Sequence, residues 1–397
     1  MQYFDFHGKK LSRLGFGTMR LPLGENGQID ENKCAEMFDF AIKNGVNYFD
    51  TAFPYHSGLS EIVTGKILGR CPRDSYYLAD KFPGHQICAD HEPSRVFETQ
   101  LKKCSVDYFD FYLLHNVYEG SIEVYEDEKW GIIPYFLEQK RLGRIKHLGF
   151  STHGGADFLR SFLDKYGSDM EFCQIQMNYM DYTLEEGREK LEMLGERGIP
   201  VWIMEPLRGG KLAALSDEDT ALLKAERPDE STASWAMRYL MSFENIGVIL
   251  SGMSAPEQVR DNVKTFSSGE VIKDNEIALL YKIADGMKNS IPCTACRYCV
   301  GECPMGLDIP TLLAMYNDVR FHPSFNVGMR IDAMPEDKRP TACLGCGACA
   351  KMCPQKIDIP AYLAEFSETL DKMPKWADIC RQREEEAKKR EEEEKNK

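Results

Sequence analysis

"ENKCAEMFDFAIKNG", residues 31–45, runs directly into "VNYFDTA", residues 46–52. The first stretch returns apolar residues at helical spacing and closes on a glycine, and the second is a short apolar run rich in aromatics, so together they read as a helix feeding a buried strand. The unit recurs. "LGFGTM" (14–19), "YYLADKF" (76–82), "FDFYLLHN" (109–116), "IKHLGFST" (145–152), "FCQIQMNY" (172–179), "PVWIMEPL" (200–207) and "GVILSGM" (247–253) are further strand candidates, separated by helical stretches such as "EEGREKLEMLGERG" (185–198). Strands alternating with helices predict a parallel sheet, and eight of them suit a closed α/β architecture, the TIM (β/α)8 barrel, better than an open doubly wound sheet. "GFGTM" also lacks the third glycine of a dinucleotide-binding turn.

The chain has 397 residues, more than the roughly 250–300 at which a single core stops growing, so a large domain with a smaller companion is expected. The pattern predicts a barrel over 1–265, a connecting helix over 266–287 that includes "DNEIALLYKIADGM", a small domain over 288–372 and a charged tail over 373–397. The tail's "RQREEEAKKREEEEKNK" has almost nothing to bury and reads as a solvated helix or disordered segment. Lys and Arg number 49 against 63 Asp and Glu, a net charge of −14 that argues against nucleic acid or an anionic membrane as partner. The start "MQYFDFHGKKLSRLGFG" has no secretory pattern, and the expected location is the cytoplasm.

Eight of fourteen cysteines fall in two copies of C-x2-C-x2-C-x3-C-P: Cys293, Cys296, Cys299, Cys303 and Cys343, Cys346, Cys349, Cys353. This is ferredoxin spacing for two 4Fe-4S clusters, in which the fourth cysteine ligates the other cluster. Cys293, Cys296, Cys299 and Cys353 are the expected ligands of cluster 1, and Cys343, Cys346, Cys349 and Cys303 those of cluster 2. Two-residue gaps let one loop wrap three irons, and Pro304 or Pro354 turns the fourth thiolate away. Ala295, Gly345, Gly347 and Ala348 between the ligands are small enough for the backbone to approach sulfide. Structural zinc also uses C-x2-C pairs but does not account for the doubled rhythm. The repeat continues into "GLDIPTLLAMY" and "KIDIPAYLAEF", matching helices begun by proline, so the small domain is expected to be α-rich and ferredoxin-like. The other six cysteines (Cys34, Cys71, Cys88, Cys104, Cys173, Cys380) follow no spacing rule and read as unpaired core or surface residues.

Chemistry in a parallel barrel sits at the carboxyl ends of the strands. Asp50 and Tyr55 follow the second strand, Lys81 ends the third and His115 the fourth. Singly each has an ordinary explanation: a helix cap, a surface phenol, a salt-bridge lysine, a satisfied histidine. Together they supply carbonyl reduction: a phenol that protonates the developing alkoxide, an ammonium that lowers its pKa, a carboxylate that holds the ammonium, and an imidazole that donates to the carbonyl oxygen. The segments "GFGTMRLP", "FDTAFPYHSGLSE", "ADKF", "DYFDFYLLHN", "IKHLGFST", "CQIQMNY", "MEPLRGGKL", "STASWAMRYL" and "SGMSAPEQVRDN" occur in the order seen in the aldo-keto reductases, and residues 1–265 resemble that family throughout.

The resemblance implies a tetrad of Asp50, Tyr55, Lys81 and His115, and NADP or NAD as cofactor. It places Ser151, Thr152 and Gln174 at the carboxamide, with Thr152 where asparagine is usual, and Met204 where an aromatic residue usually stacks on the nicotinamide. Leu207, Gly209, Gly210 and Lys211 lie along the pyrophosphate; Gln258, Asp261 and Asn262 face the adenosine. Gly252 and Gln258 stand where basic residues often grip the 2′-phosphate. The expected activity is reduction of a small aldehyde or ketone with NAD(P)H. The alternative is an electron-transfer protein in which a flavin or nicotinamide in the barrel exchanges electrons with the clusters and an external ferredoxin or flavoprotein. A third reading, a nicotinamide-sensing module without turnover, sits poorly with a complete tetrad.

Overall fold

The computed structural model describes residues 1–184, 186–287, 291, 293, 295, 297–321, 325–353 and 355–395, side chains of 321 and 390–395 excepted. They group into two compact units: Met1–Tyr281 with Arg383–Lys397, and Lys282–Gln382.

The first unit opens with an antiparallel hairpin, β1 (Tyr3–Phe6) and β2 (Lys9–Ser12), which the sequence reading did not anticipate. Then come β3 (Leu14–Gly17), β4 (Tyr48–Asp50), β5 (Tyr77–Phe82), β6 (Phe109–Leu114), β7 (Ile145–Thr152), β8 (Cys173–Gln176), β9 (Val201–Met204) and β10 (Ile246–Ser251). All eight expected strands are there. Each pairs in parallel with its sequence neighbour, and β10 pairs with both β9 and β3, closing the barrel. Their side chains are almost wholly buried because the interior faces one way and a shell of helices the other.

The hairpin plugs the barrel at the amino ends of the strands. Phe6 lies 5.4 Å from Trp202 and 5.5 Å from Phe111, ring centre to ring centre. The indole of Trp202 donates to the hydroxyl of Tyr48 at 2.9 Å, satisfying the polar atoms of two buried aromatics. With that end filled by apolar packing, the carboxyl end is where polar side chains gather.

The second unit is α-rich. Helices Ile309–Phe321 and Ile359–Lys372 start at matching Ile-Pro dipeptides. They bury Leu312, Leu313, Tyr316, Leu363 and Phe366 in one core. Tyr316 and Phe366 hold equivalent positions in the duplicated sequence, and their rings stack at 5.0 Å. The expected tail forms a helix, Trp376–Lys395. No helix among the described residues is long and apolar enough to cross a membrane.

Helices Ser60–Leu68 and Pro93–Cys104 approach closely at Gly65, where a Cβ would meet backbone atoms of Cys104 at 2.5–2.7 Å. Gly65→Ala is therefore expected to lower the barrel's stability by about 1–3 kcal/mol in urea unfolding followed by circular dichroism. Gly286→Ala, where no atom lies within 4 Å, is the control and should be neutral or gain up to about 1 kcal/mol.

Candidate active site and cluster-ligand cavities

Parallel pairing brings the expected tetrad to one end of the barrel. Asp50 is the last residue of β4, Lys81 the fifth of β5, and His115 follows β6 directly. Tyr55 opens a short turn, Tyr55–Gly58, in which His56 and Ser57 both hold left-handed backbone (φ +49° and +52°). That strained turn is pinned: His56 Nε2 accepts from the Leu21 amide at 3.1 Å.

Lys81 is 0% exposed and Asp50 2%. The ammonium donates to Asp50 Oδ1 at 2.5 Å and to the Thr51 carbonyl at 2.7 Å, and lies 5.0 Å from the centre of the Tyr55 ring. Burial alone would lower the Lys81 pKa; Asp50 and Tyr55 together carry it above the ordinary value, so Lys81 stays charged. The phenol corrects the sequence expectation. Burial raises the Tyr55 pKa by more than Lys81 lowers it, and the net direction is upward, so Tyr55 stands as a protonated donor.

The His115 ring meets the Tyr55 ring edge-on at 6.0 Å, and its Nδ1 is buried without a hydrogen-bond partner. Burial and then the neighbouring His85 and Lys81 push His115 well below the ordinary imidazole pKa, leaving a neutral ring. His85, which sequence reasoning passed over, packs against it at 4.4 Å. Burial, then Arg383, pushes the His85 pKa down to about 3.

A cleft of about 290 Å³ runs from Asp50 and Tyr55 past Gln174, Met204, Leu207, Gly209 and Gly210 to Gly252, Gln258, Asp261 and Asn262. Nine of the twelve expected cofactor contacts thus share one lining with two members of the tetrad. Ser151, Thr152 and Lys211 are not in that lining. Ser151 Oγ instead accepts from the Asn116 amide at 2.8 Å and Thr152 Oγ1 from the Gly154 amide at 2.9 Å, so both shape loops beside the cleft.

Met19, Arg20, Glu205 and Ser254 also line the cleft and were missed. Each lies inside a quoted motif, which was the available signal. Glu205, Arg208, Gly209 and Gly210 all have positive φ, giving a concave backbone of the kind that cradles anions. Arg208 anchors this loop through a buried ion pair with Asp181, and Glu205 accepts from the Gly209 amide at 2.5 Å.

In the second unit, Cys303, Cys343, Cys346 and Cys349 line one small cavity, walled by Pro304, Leu307, Ile309 and Leu363. Cys293, Cys299 and Cys353 line another with Leu313, Ile357 and Ile359. Each cavity takes its fourth-position cysteine from the other repeat. Cys296 and Pro354 lie outside the described residues. The thiols ring a space and do not meet at a point: among the described residues, no three His, Cys, Asp or Glu are grouped to hold a single ion. Gly345 and Gly347 have positive φ, and so do their counterparts Ala295 and Arg297. Thiols gathered on an apolar wall fit an iron–sulfur cluster.

The profile of the Aldo/keto reductase family matches residues 13–285, and that of a 4Fe-4S dicluster domain matches residues 292–357. The NADH-specific methylglyoxal reductase of Escherichia coli (strain K12) is 25% identical over 334 residues, 70% of this chain and 96% of its own. L-galactose dehydrogenase of Arabidopsis thaliana is 27% identical, covering 64% of this chain and 84% of its own. Among solved structures, the holo form of aldo-keto reductase AKR11C1 from Bacillus halodurans superposes with a TM-score of 0.57 at 25% identity, over 71% of this chain and 95% of its own. An aldo-keto reductase from Klebsiella pneumoniae in complex with NADPH gives a TM-score of 0.58 at 18% identity, again over 71% and 95%. With most of the chain inside the first profile, the protein belongs to the aldo/keto reductase family and carries a 4Fe-4S dicluster domain after its barrel.

Proposed function

We propose that the chain reduces a small aldehyde or ketone with a reduced nicotinamide cofactor, Tyr55 acting as general acid. The observation that supports this best is the buried Lys81 held between Asp50 and Tyr55, both of which line the cleft of about 290 Å³. When bound, the cofactor supplies the hydride. Tyr55 gives its proton to the carbonyl oxygen as negative charge develops there, and the adjacent Lys81 ammonium stabilises the phenolate left behind. His115, neutral, donates a hydrogen bond to the same oxygen. The concave loop at Leu207–Gly210 would take the pyrophosphate. At the far rim Gly252 and Gln258 bring no positive charge, Asp261 is acidic, and Arg20 packs beside Gly252, so the rim carries both signs and NADH and NADPH are both admitted.

Cys293, Cys296, Cys299 and Cys353 would hold one 4Fe-4S cluster and Cys343, Cys346, Cys349 and Cys303 the other. Hydride transfer moves an electron pair and needs no one-electron carrier, so the clusters are given no step in carbonyl reduction.

Tyr55→Phe in cluster-replete protein should lower kcat for carbonyl reduction by about 10²–10⁴-fold while cofactor affinity, read by fluorescence titration, stays within a few-fold; full activity would sink the assignment. Iron analysis tests the crossed ligation. Cys293→Ala/Cys353→Ala should keep about half the iron, because both residues serve one cluster, whereas Cys303→Ala/Cys353→Ala should lose nearly all of it.

The neutral His85 also sets a pH dependence. Its folded-state pKa of about 3 lies below the 6.5 of an exposed imidazole, so between these values the unfolded chain binds the extra proton. The stability it confers is present above pH 6.5 and is lost as pH falls toward 3, about 2 kcal/mol of it by pH 5. His85→Gln should flatten the stability profile between pH 7 and 5, measured by urea unfolding at each pH.

A further inference from the structure

The loop after β9 already holds an anion of its own. The amides of Arg208, Gly210 and Lys211 donate to backbone carbonyls, those of Glu205, Leu207 and Arg208. The Gly209 amide differs: it donates to Glu205 Oε2 at 2.5 Å, while Glu205 Oε1 lies 3.4 Å from Arg20 Nη2. Glu205 follows β9 directly and Arg20 belongs to the loop after β3, and β10 stands between those two strands in the barrel. The stem of Arg20 passes the end of β10, where a Cβ on Gly252 would meet Arg20 Cβ, Cγ and Cδ at 3.2–3.4 Å. The ion pair therefore crosses the end of β10, and Arg20, Glu205, Gly209 and Gly252 all line the one cleft. Both side chains keep contact with solvent, 50% exposed for Arg20 and 29% for Glu205, so the pair is inexpensive to open. An amide and a guanidinium, two groups that suit a phosphate, are thus engaged by a single carboxylate.

We propose that Glu205 is a resident anion of the cofactor cleft: its carboxylate holds the Gly209 amide and Arg20 in the free chain and yields both to the phosphates of a nicotinamide dinucleotide. The inference rests on the dinucleotide part of the proposed function and goes beyond it, because it makes Glu205 the residue that weakens cofactor binding and speeds release. A carboxylate and a phosphate cannot share one amide without like-charge repulsion, so Glu205 must turn to solvent when a dinucleotide enters. Each binding event then carries the cost of breaking the Glu205 contacts, and each departure recovers them.

The test is fluorescence titration with NADH, with stopped-flow release, on full-length, cluster-replete protein; it needs no carbonyl substrate. Glu205→Gln keeps an acceptor for the Gly209 amide and removes the charge, and should tighten NADH binding by about 10-fold, chiefly through slower release. Glu205→Asn is the second variant, since residue 205 has a φ of +55° and asparagine tolerates left-handed backbone; it should move affinity the same way. Inorganic pyrophosphate should displace NADH more readily from Glu205→Gln than from wild type. The gain should vanish in Glu205→Gln/Arg20→Gln, where the guanidinium that Glu205 releases is missing; a gain that survives there overturns the exchange with Arg20. NADH affinity unchanged or weaker in both Glu205 variants overturns the resident anion and leaves the dinucleotide site standing. NADH that binds neither wild type nor either variant removes the dinucleotide reading itself. Tighter binding in the variants of a protein that reduces no carbonyl upholds the resident anion while the catalytic reading falls.

Discussion

The carboxyl end of the barrel is organised around one buried charge. Lys81 has no exposure to water, and leaving its ammonium there uncompensated would cost several kcal/mol. Asp50 and the Thr51 carbonyl compensate it at 2.5 and 2.7 Å, and both come from the strand next door. This fixes the stagger of β4 against β5, sets the origin of the Tyr55 turn and points the remaining face of the ammonium at the phenol. A surface lysine could make the same contacts with little consequence. Here burial makes the geometry close to compulsory, and it also holds the phenol protonated, because the desolvation that Lys81 offsets at itself is only partly offset at Tyr55.

The barrel was legible because its strands are buried on both faces. A strand with no wet side needs a continuous apolar run, and eight such runs at regular intervals leave little else to build. The tetrad was legible for a related reason: polar residues at the carboxyl end of an apolar run have few other places to go. The hairpin plug was not, because "YFDF" and "KKLS" are four-residue strands with no periodicity to detect, and only Phe6, seated among Trp202, Phe111 and Phe172, shows their purpose. The Arg208–Asp181 anchor and the Ser57–Glu386 contact were equally hidden, since they join segments whose proximity only the closed fold creates. The direction of the Tyr55 pKa was misjudged through the same gap: sequence shows the neighbouring charge and conceals the burial.

In the second unit the duplication is structural as well as textual. The ligand positions recur at a fixed offset, and so do Tyr316 and Phe366, which stack on each other in the shared core. A repeat whose equivalent residues stack on each other gains from both copies being present, and the proposed crossed ligation has the same logic, since each cavity is lined by cysteines of both runs. The two copies are unequal in one respect. Where the second has Gly345 and Gly347 in left-handed conformations, the first has Ala295 and Arg297, which adopt them at a steric cost that glycine escapes.

That asymmetry bears on how the chain distributes strain. Non-glycine residues with positive φ come as pairs at the Tyr55 turn (His56, Ser57), at the loop 205–210 (Glu205, Arg208) and between the cysteines of the first motif (Ala295, Arg297), and singly at His7, Ser105, Asn116, Glu186 and Lys356. Each pair adjoins a group proposed for the site: the acid Tyr55, the pyrophosphate loop, the cluster cysteines. Such conformations persist only when surrounding contacts over-determine them. His56 is held by the Leu21 amide, Glu205 by the Gly209 amide and Arg208 by Asp181. In the first unit these strained positions are therefore held by a few polar contacts made within the fold.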